Sequence, residues 1–247
     1  TGVHFVTTFH GTYGAQNSLK KKYNSVMLKG EKIIAVSDFI KQHILNNYKV
    51  SPENIVVIQR GVDLTKFNAS VEPIGIGLPS GKKIVMLPGR ITRWKGQHVF
   101  VEAMRGLDAI GVIVGDVEND VYMKELEKTL PDNIIILPGT SDLPPVLANA
   151  DVVVSASTRP EAFGRIAIEA QAMGKPVVAT NIGGALETVV DRKTGIHVPA
   201  NNSSLMKQAI VKLLSVDWKN NCIENAKNFS TQKMCERTIA VYNSILA

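Results

Sequence analysis

Two carboxylates that frame a glycine are the strongest candidates for chemistry in this sequence. Glu161 and Glu169 stand eight positions apart, with Gly164 between them. The segment 164–173 has helical character, and the free N–H groups and the dipole at a helix N-terminus favour phosphate. We therefore expect a diphosphate over Gly164 and Arg165. Glu169 would then accept hydrogen bonds from a ribose diol, and Glu161 would reach a sugar hydroxyl or a developing positive charge.

These side chains also have an ordinary structural interpretation. Arg165 and Glu169 are four residues apart and would form a surface ion pair, with Glu161 as a charge near the first turn. For either glutamate alone this interpretation is the simpler one, whereas the whole pattern favours a ligand site. Five apolar residues of the segment fall on one helical face, which we expect to pack on a sheet: Phe163, Ile166, Ala167, Ala170 and Met173.

A basic loop follows a predicted strand at 84–87. Its cations are Arg90, Arg93 and Lys95, and they are bounded by Gly89 and Gly96. Guanidinium and ammonium groups on such a loop are typical of a phosphate clamp. A basic turn with no ligand is the alternative.

Three further motifs are weaker candidates. His10 ends a predicted strand next to a glycine and would approach a ligand, but a capping or packing role explains it equally well. Gly183 and Gly184, with Glu187 in the next helix, are typical of a tight turn. The carboxylates at 116–120 alternate along the chain but lack the central glycine and final glutamate of a calcium loop, which favours a solvated loop over a metal site.

The elements that carry these residues alternate between strands and helices from about residue 82. Short β-branched runs are typical of strands that are buried on both faces, and they occur at 84–87, 110–114, 134–137, 152–154, 177–179 and 196–198. Helical segments lie between them at 97–105, 120–129 and 164–173. This alternation predicts a doubly wound parallel sheet, which binds ligands beyond the carboxyl ends of its strands.

The first 67 residues predict fewer elements. Strands are expected from Phe5, from Ile33 and from Ile55, with a basic amphipathic helix over 15–29 and a second helix over 39–47 that Ser37 or Asp38 caps. Three strands and two helices are few for an independent domain, so we expect this piece to lack strands that would precede residue 1. Residues 68–81 read as a linker, and 230–247 as a helix capped by Ser230 or Thr231.

Composition limits the partners. The net charge is +6, and residues 1–70 hold nine lysines and arginines against four acidic residues. The basic excess indicates an anionic partner, namely phospholipid, phosphorylated saccharide or nucleic acid, or else a solvated face. Nucleic acid is disfavoured because aromatic and basic residues do not alternate. Cys222 and Cys235 have no metal-type spacing and are too few for a disulfide scaffold, which favours a reducing, cytoplasmic location.

These residues together resemble the retaining glycosyltransferases with two Rossmann-like domains, called glycosyltransferase family 4 or group 1. The resemblance spans nearly the whole chain and is strongest at 84–96 and 151–200. The segment from Glu161 to Glu169 is similar to the family's E-x7-E motif. Gly89-Arg90 and Lys95-Gly96 are similar to its basic motif for the donor phosphates.

Two features of the N-terminal part also carry the resemblance. The segment 60–63 is similar to the one that leads into the family's linker, with Arg60 where asparagine is commoner. His10 falls where the family has an active-site histidine. The resemblance implies the GT-B fold, with a truncated N-terminal domain at 1–67, a linker at 68–81 and a complete C-terminal sheet domain at 82–229. The helix 230–247 would cross back to the N-terminal domain.

The resemblance also implies an activity: transfer of a sugar, with retention of configuration, from a UDP-, GDP- or ADP-sugar to a saccharide or lipid-linked acceptor. No metal or other cofactor is expected. The residues expected to be catalytic are His10, Arg90, Lys95 and Glu161. The residues expected to bind the donor are Gly89, Phe163, Gly164, Arg165, Ile166 and Glu169.

Two alternatives remain open at the level of sequence. The chain could bind a nucleotide sugar without turnover, because strands of its first domain are expected to be missing. A sugar-nucleotide epimerase of similar architecture is a weaker alternative, which product analysis without an acceptor would separate. The basic helix around Lys20, Lys21 and Lys22 also predicts peripheral binding to an anionic membrane, on the inner face of the cytoplasmic membrane. The acceptor would then belong to the synthesis of lipopolysaccharide or another cell-envelope glycan.

Overall fold

A computed structural model of the protein describes residues 2–13 and 18–246. Its larger sheet has six parallel strands in the order β6-β5-β4-β7-β8-β9. These strands are β4 (Lys83–Pro88), β5 (Ala109–Val114), β6 (Ile134–Leu137), β7 (Val152–Ser155), β8 (Val177–Thr180) and β9 (Gly195–Val198). The six strands and the doubly wound parallel sheet predicted from the apolar runs are confirmed.

Both faces of this sheet are covered, which explains why its strands are mostly apolar. In β4 the side chains alternate between two cores: Val85 and Leu87 pack with Phe100 on one face, while Ile84 and Met86 pack on the other. The covering helices are α3 (Gln97–Met104), α4 (Asp120–Glu127), α5 (Leu143–Leu147), α6 (Arg165–Ala172), α7 (Ala185–Thr188), α8 (Ser203–Leu214) and α9 (Lys219–Lys227). Helices α3, α4 and α6 confirm the three predicted between strands.

The strand order reverses at β4, and this point positions the site. β4 pairs with β5 on one side and with β7 on the other. The connections after β4 and β7 therefore run to opposite sides of the sheet and leave a crevice between their carboxyl ends, which is where such folds bind ligands. Gly89 and the loop 157–164 follow these two strands directly.

A smaller parallel sheet in the order β1-β2-β3 precedes the larger one. Its strands are β1 (Val6–Phe9), β2 (Lys32–Ala35) and β3 (Ile55–Val57), and α2 (Asp38–Asn47) packs on them through Ile40 and Ile44. The predicted cap of α2 is confirmed, since Ser37 Oγ accepts a hydrogen bond from the N–H of Ile40 at 3.0 Å.

The basic helix predicted over 15–29 lies partly outside the described residues. From residue 18 it forms α1 (Ser18–Asn24) and then a 3-10 helix over Ser25–Lys29. The change of helix type coincides with a local hydrogen bond, in which Ser25 Oγ donates to the Lys22 carbonyl at 2.6 Å. A serine that bonds the backbone in this way competes with α-helical pairing.

Residues 68–81 contain no helix or strand, and the chain returns to the smaller sheet at its end. Helix α10 (Thr231–Leu246) begins after Ser230, whose Oγ accepts from the N–H of Lys233 at 3.2 Å. Val241 of α10 packs with Ile34 and Ile58. Among the described helices, none is long and apolar enough to cross a bilayer. The exact domain boundaries at 67 and 82 stay a prediction.

Candidate functional site

A cavity of about 430 Å³ lies at the point where the strand order reverses. Residues from the basic loop line one side of it and residues around the start of α6 line the other. Arg60, which follows β3, closes it from the smaller sheet. The lining includes many of the residues singled out from sequence: Gly89, Lys95, Glu161, Phe163, Gly164, Arg165, Ile166 and Glu169.

Gly164 opens α6 towards this cavity. Its φ of +81° is in the left-handed region, where a glycine carries no steric penalty. The first N–H groups of a helix have no partner within the helix, so the turn that begins at Arg165 presents donors and the positive end of the helix dipole. The predicted anion site at the start of this helix therefore has the expected backbone geometry, while its occupancy stays a prediction.

Glu161 and Lys95 form an ion pair across the cavity. Lys95 Nζ lies 2.9 Å from Glu161 Oε1, and the two side chains are only 17% and 16% exposed. Ser157 Oγ donates to the same carboxylate oxygen, and Lys95 Nζ also lies over the Trp94 ring. The Glu161 backbone is fixed as well, since its carbonyl accepts from the N–H of Gly184 at 2.9 Å. Both charges are therefore held in place before any ligand binds.

Glu169 lies one turn into α6 and is paired with Arg165. Arg165 Nε is 3.5 Å from Glu169 Oε1, and the Glu169 side chain is 13% exposed. Burial raises the pKa of Glu169, and the nearby charges of Arg165 and Lys66 oppose that shift only in part. The ion pair of the ordinary structural interpretation is therefore present, with Arg165 62% exposed, and both of its members line the cavity.

The apolar face predicted for this helix needs one correction. Ala167, Ala170 and Met173 pack on the larger sheet as expected. Phe163 does not, because its ring meets Phe229 edge to face with centroids 5.8 Å apart, in a separate cluster. The cause is the left-handed backbone at Gly164, which places Phe163 before the helix and outside its periodicity.

The three cations of the basic loop diverge. Lys95 lines the cavity beside Gly89, whereas Arg90 Nη1 is 2.8 Å from Glu118 Oε1 and its side chain is 60% exposed. Arg93 leaves the cavity altogether: it pairs with Glu125 and stacks over the Tyr122 ring at 4.9 Å. Of the predicted three-cation clamp, the structure brings one member into the described cavity, and Arg93 holds the loop against α4.

His10 is held by Arg60. Arg60 Nη2 lies 2.9 Å from His10 Nδ1, which joins residues 50 positions apart. Partial desolvation and then the charge of Arg60 lower the pKa of His10. His10 is exposed and is not among the described residues that line the cavity, although its partner Arg60 is.

The carboxylates of Asp116 and Glu118, which follow β5, bind different partners. Asp116 Oδ1 accepts from the N–H of Gly139 at 3.1 Å, which ties the loop after β5 to the loop after β6. Glu118 pairs with Arg90. These contacts give Asp116 and Glu118 structural partners on the rim of the crevice.

Comparison with known proteins agrees with the motifs and the fold. The family model described as glycosyl transferases group 1 matches residues 49–229, and that of glycosyltransferase family 4 matches residues 1–66. The chain belongs to the group 1 glycosyltransferases. The resemblance stated from the motifs is therefore confirmed.

Three known proteins illustrate the relationship. A glycosyltransferase from Rickettsia africae ESF-5 is 38% identical, with a TM-score of 0.89 over 100% of this chain and 72% of that one. Alr3699/HepE of Anabaena, solved in complex with UDP-glucose, is 23% identical, with a TM-score of 0.85 over 98% of this chain and 72% of its own. The capsular polysaccharide biosynthesis glycosyltransferase CapM of Staphylococcus aureus is 27% identical, and the match covers 87% of this chain and 62% of CapM.

Two contacts between the smaller and the larger sheet are not predictable from the sequence of this member of the group 1 glycosyltransferase family. Ser37 Oγ donates to the Ala162 carbonyl at 2.5 Å, which joins the smaller sheet to the loop that carries Glu161. Glu187 lies in the helix after the glycine pair, as predicted, and its carboxylate accepts the N–H groups of Asp38 and Phe39 at the start of α2. The sequence signals for these two contacts were the predicted cap at Ser37 and the glutamate that follows Gly183 and Gly184. Neither signal indicates which residue of the other sheet is the partner.

Proposed function

We propose that this glycosyltransferase moves a sugar from a nucleotide-diphosphate sugar to a saccharide or lipid-linked acceptor, with retention of the anomeric configuration and without a metal. One observation carries the proposal. The cavity at the strand reversal is lined by an amide-bearing helix N-terminus at Gly164 and by the partly buried Lys95–Glu161 pair. Such a surface matches a diphosphate joined to a polyhydroxylated ring.

Each half of the donor has a matching group. Lys95 and the N–H groups at the start of α6 would bind the diphosphate, with Arg90 at the rim. Glu169 would accept hydrogen bonds from the ribose hydroxyls, and Glu161 from the donor sugar. Because Glu161 is held by Lys95 and Ser157, it would meet the sugar without reorganising.

The reaction would depend on charge compensation more than on a protein nucleophile. The bond from the anomeric carbon to the diphosphate oxygen breaks, and positive charge develops at that carbon. The acceptor hydroxyl forms the new bond on the same face and gives its proton to the departing phosphate. Lys95 and the helix N-terminus would stabilise the diphosphate as its charge grows, which favours departure.

The base and the acceptor are proposed from the related proteins. UDP is the first nucleotide to test, because the Anabaena neighbour was solved with UDP-glucose. GDP and ADP remain alternatives, since the loops after β5 and β6 carry no base-specific motif. A saccharide acceptor of the cell-envelope type agrees with the name of CapM.

Binding to an anionic membrane surface is proposed from α1. Lys20, Lys21 and Lys22 are exposed there, beside Tyr23, which is 81% exposed, and Val26, which is 50% exposed. Cations next to exposed apolar groups suit a peripheral, inner-face location on anionic lipid. Flotation with anionic liposomes tests this. We expect the protein to bind anionic liposomes at low salt and not to bind neutral liposomes. If it does not bind anionic liposomes, the membrane proposal is wrong.

Calorimetric titration with UDP, GDP and ADP, and with their common sugar conjugates, tests the donor site. One diphosphate should bind the wild-type protein, and both Lys95→Ala and Glu169→Ala should weaken it. Glu127→Ala is the matched control, because Glu127 is an exposed glutamate on α4. Absence of binding by every nucleotide would contradict the proposal.

Binding without turnover is the second candidate, and the small size of the three-stranded sheet favours it. The chain also spans 62% of the length of CapM. Sugar transfer measured with the 247-residue chain alone separates the two functions. Product formation would refute the second candidate, whereas donor binding without product would support it.

A further inference from the structure

Arg60 is placed to act on the donor, although the cavity motifs of the larger sheet do not include it. It follows β3 at the carboxyl end of the smaller sheet and lines the cavity together with Lys95 and Arg165. Residue 60 is thus the point at which the smaller sheet adds a charged side chain to a site that otherwise belongs to the larger sheet.

Arg60 is not paired with either of the two carboxylates that line the cavity. The lining holds the cations Arg60, Lys95 and Arg165 and the carboxylates Glu161 and Glu169. Each carboxylate already has a cationic partner, in Lys95 or in Arg165. Among the described residues, no carboxylate lies within ion-pair distance of Arg60, so its guanidinium is the surplus charge of the cavity.

Burial and a neighbouring cation both disfavour the charge of Arg60. Burial, and then the like charge of Arg165, lower the pKa of Arg60. A guanidinium stays protonated even so, because its ordinary pKa is far above neutrality. Two guanidinium groups that face one cavity are favourable when an anion lies between them, and a diphosphate supplies the required charge.

The contact with His10 shows which of the two residues is the cation. Arg60 Nη2 can only donate, so His10 Nδ1 accepts and carries no proton. His10 is then neutral, with its proton on Nε2, and it cannot supply positive charge to the site. Its ring instead orients the Arg60 side chain, which has five donors and keeps others free for a ligand.

We propose that Arg60 binds the diphosphate of the nucleotide-sugar donor and is the residue by which the smaller sheet recognises the charged part of that substrate. This inference rests on the proposed function. It predicts that Arg60 contributes to the affinity for a nucleoside diphosphate but not to the affinity for the corresponding uncharged nucleoside.

Calorimetry with UDP and uridine, and likewise with the GDP and ADP pairs, tests the inference. Arg60→Gln should weaken the diphosphate roughly 10- to 100-fold, as expected for loss of a charge-assisted hydrogen bond. It should leave nucleoside binding unchanged, and Arg60→Lys should retain most of the affinity for the diphosphate. Arg192→Gln is the control and should have no effect, since it removes a guanidinium that is 88% exposed.

Two results with Arg60→Gln would overturn the inference, and one result with the wild type would overturn it together with the proposed function. Equal weakening of UDP and uridine would make Arg60 a structural residue, and unchanged UDP binding would place the diphosphate elsewhere. If Lys95→Ala weakens UDP while Arg60→Gln does not, only the role of Arg60 fails. If the wild type binds no nucleoside diphosphate, the proposed function fails and this inference with it.

A measurement on the wild-type protein covers the case in which Arg60→Gln does not fold. The ¹⁵N–¹H NMR resonance of Arg60 Nε should shift when UDP is added and should not shift with uridine. A resonance that UDP leaves unchanged would overturn the inference.

Discussion

The carboxylate of Glu187 accepts the backbone N–H of Phe39 at 2.8 Å, although 148 positions separate the two residues. The other carboxylate oxygen accepts the N–H of Asp38 at 2.9 Å. A side chain of the larger sheet's α7 therefore caps the N-terminus of α2 on the smaller sheet. Since this end of α2 carries the positive end of the helix dipole, the contact holds the two sheets together through charge as well as hydrogen bonds.

Removal of the Glu187 charge should destabilise the protein. Glu187→Gln keeps one acceptor oxygen but loses the anion at the start of α2, and we expect a loss of about 1–2 kcal/mol in the free energy of unfolding. Urea denaturation measures the change. Glu127→Gln removes an exposed carboxylate from α4 and should be neutral. Equal stability of the two variants would show that the Glu187 contact contributes nothing.

Two glycines with similar backbones should respond differently to alanine. Gly164 and Gly183 have φ of +81° and +64°, so alanine is strained at both by about 1–2 kcal/mol. At Gly164 a Cβ would meet nothing closer than 3.8 Å, but at Gly183 it would lie 2.5 Å from the Glu161 carbonyl oxygen.

Gly183→Ala should therefore lower the free energy of unfolding by about 1–3 kcal/mol more than Gly164→Ala, because the Glu161 backbone must move. It should also weaken donor binding, since Glu161 would leave Lys95. Urea denaturation and nucleotide titration of both variants test this. Equal destabilisation would mean that the loop at Glu161 absorbs the extra methyl group without cost.

The fold was predictable because its signals are local. Each strand of the larger sheet contains a short run that is mostly apolar, and the glycine before α6 marks the start of that helix. The contact of Glu187 with Phe39 was not predictable, because it depends on how the two sheets pack. The contact of Arg60 with His10 was not predictable either, because it depends on how β1 and β3 are placed within the smaller sheet. The direction of the Arg93 side chain was not predictable either. Arg93 lies on the same basic loop as Lys95, but it contacts Tyr122 and Glu125 and so points away from the cavity.

The two cysteines should differ in reactivity. Cys222 is fully buried in α9, and burial, aided by the charge of Asp217, raises its pKa to about 12. Cys235 is exposed on α10. Because the thiolate is the reactive form, a disulfide reagent at pH 8 should modify Cys235 quickly and Cys222 only after unfolding. Cys235→Ser should leave no fast thiol, and two thiols of equal rate in the native protein would contradict the burial of Cys222.

The raised pKa of Glu169 has opposite effects on stability and on donor binding. Burial makes the folded protein bind this proton more tightly than the unfolded chain, so Glu169 favours folding below its unfolded pKa and loses that contribution as pH rises through the folded pKa. The ionised form is the better acceptor for ribose hydroxyls. Nucleotide affinity should therefore fall on acidification, beginning above the ordinary glutamate range.

Calorimetric titration between pH 4.5 and pH 7 checks this, with Glu169→Gln as the variant that cannot titrate. The wild type should lose affinity as pH falls, because protonation of Glu169 removes the charge that its hydrogen bonds to ribose require. Glu169→Gln should bind more weakly at neutral pH and with a smaller dependence on pH. If both proteins show the same pH profile, the titrating group is elsewhere and Glu169 does not hold the ribose.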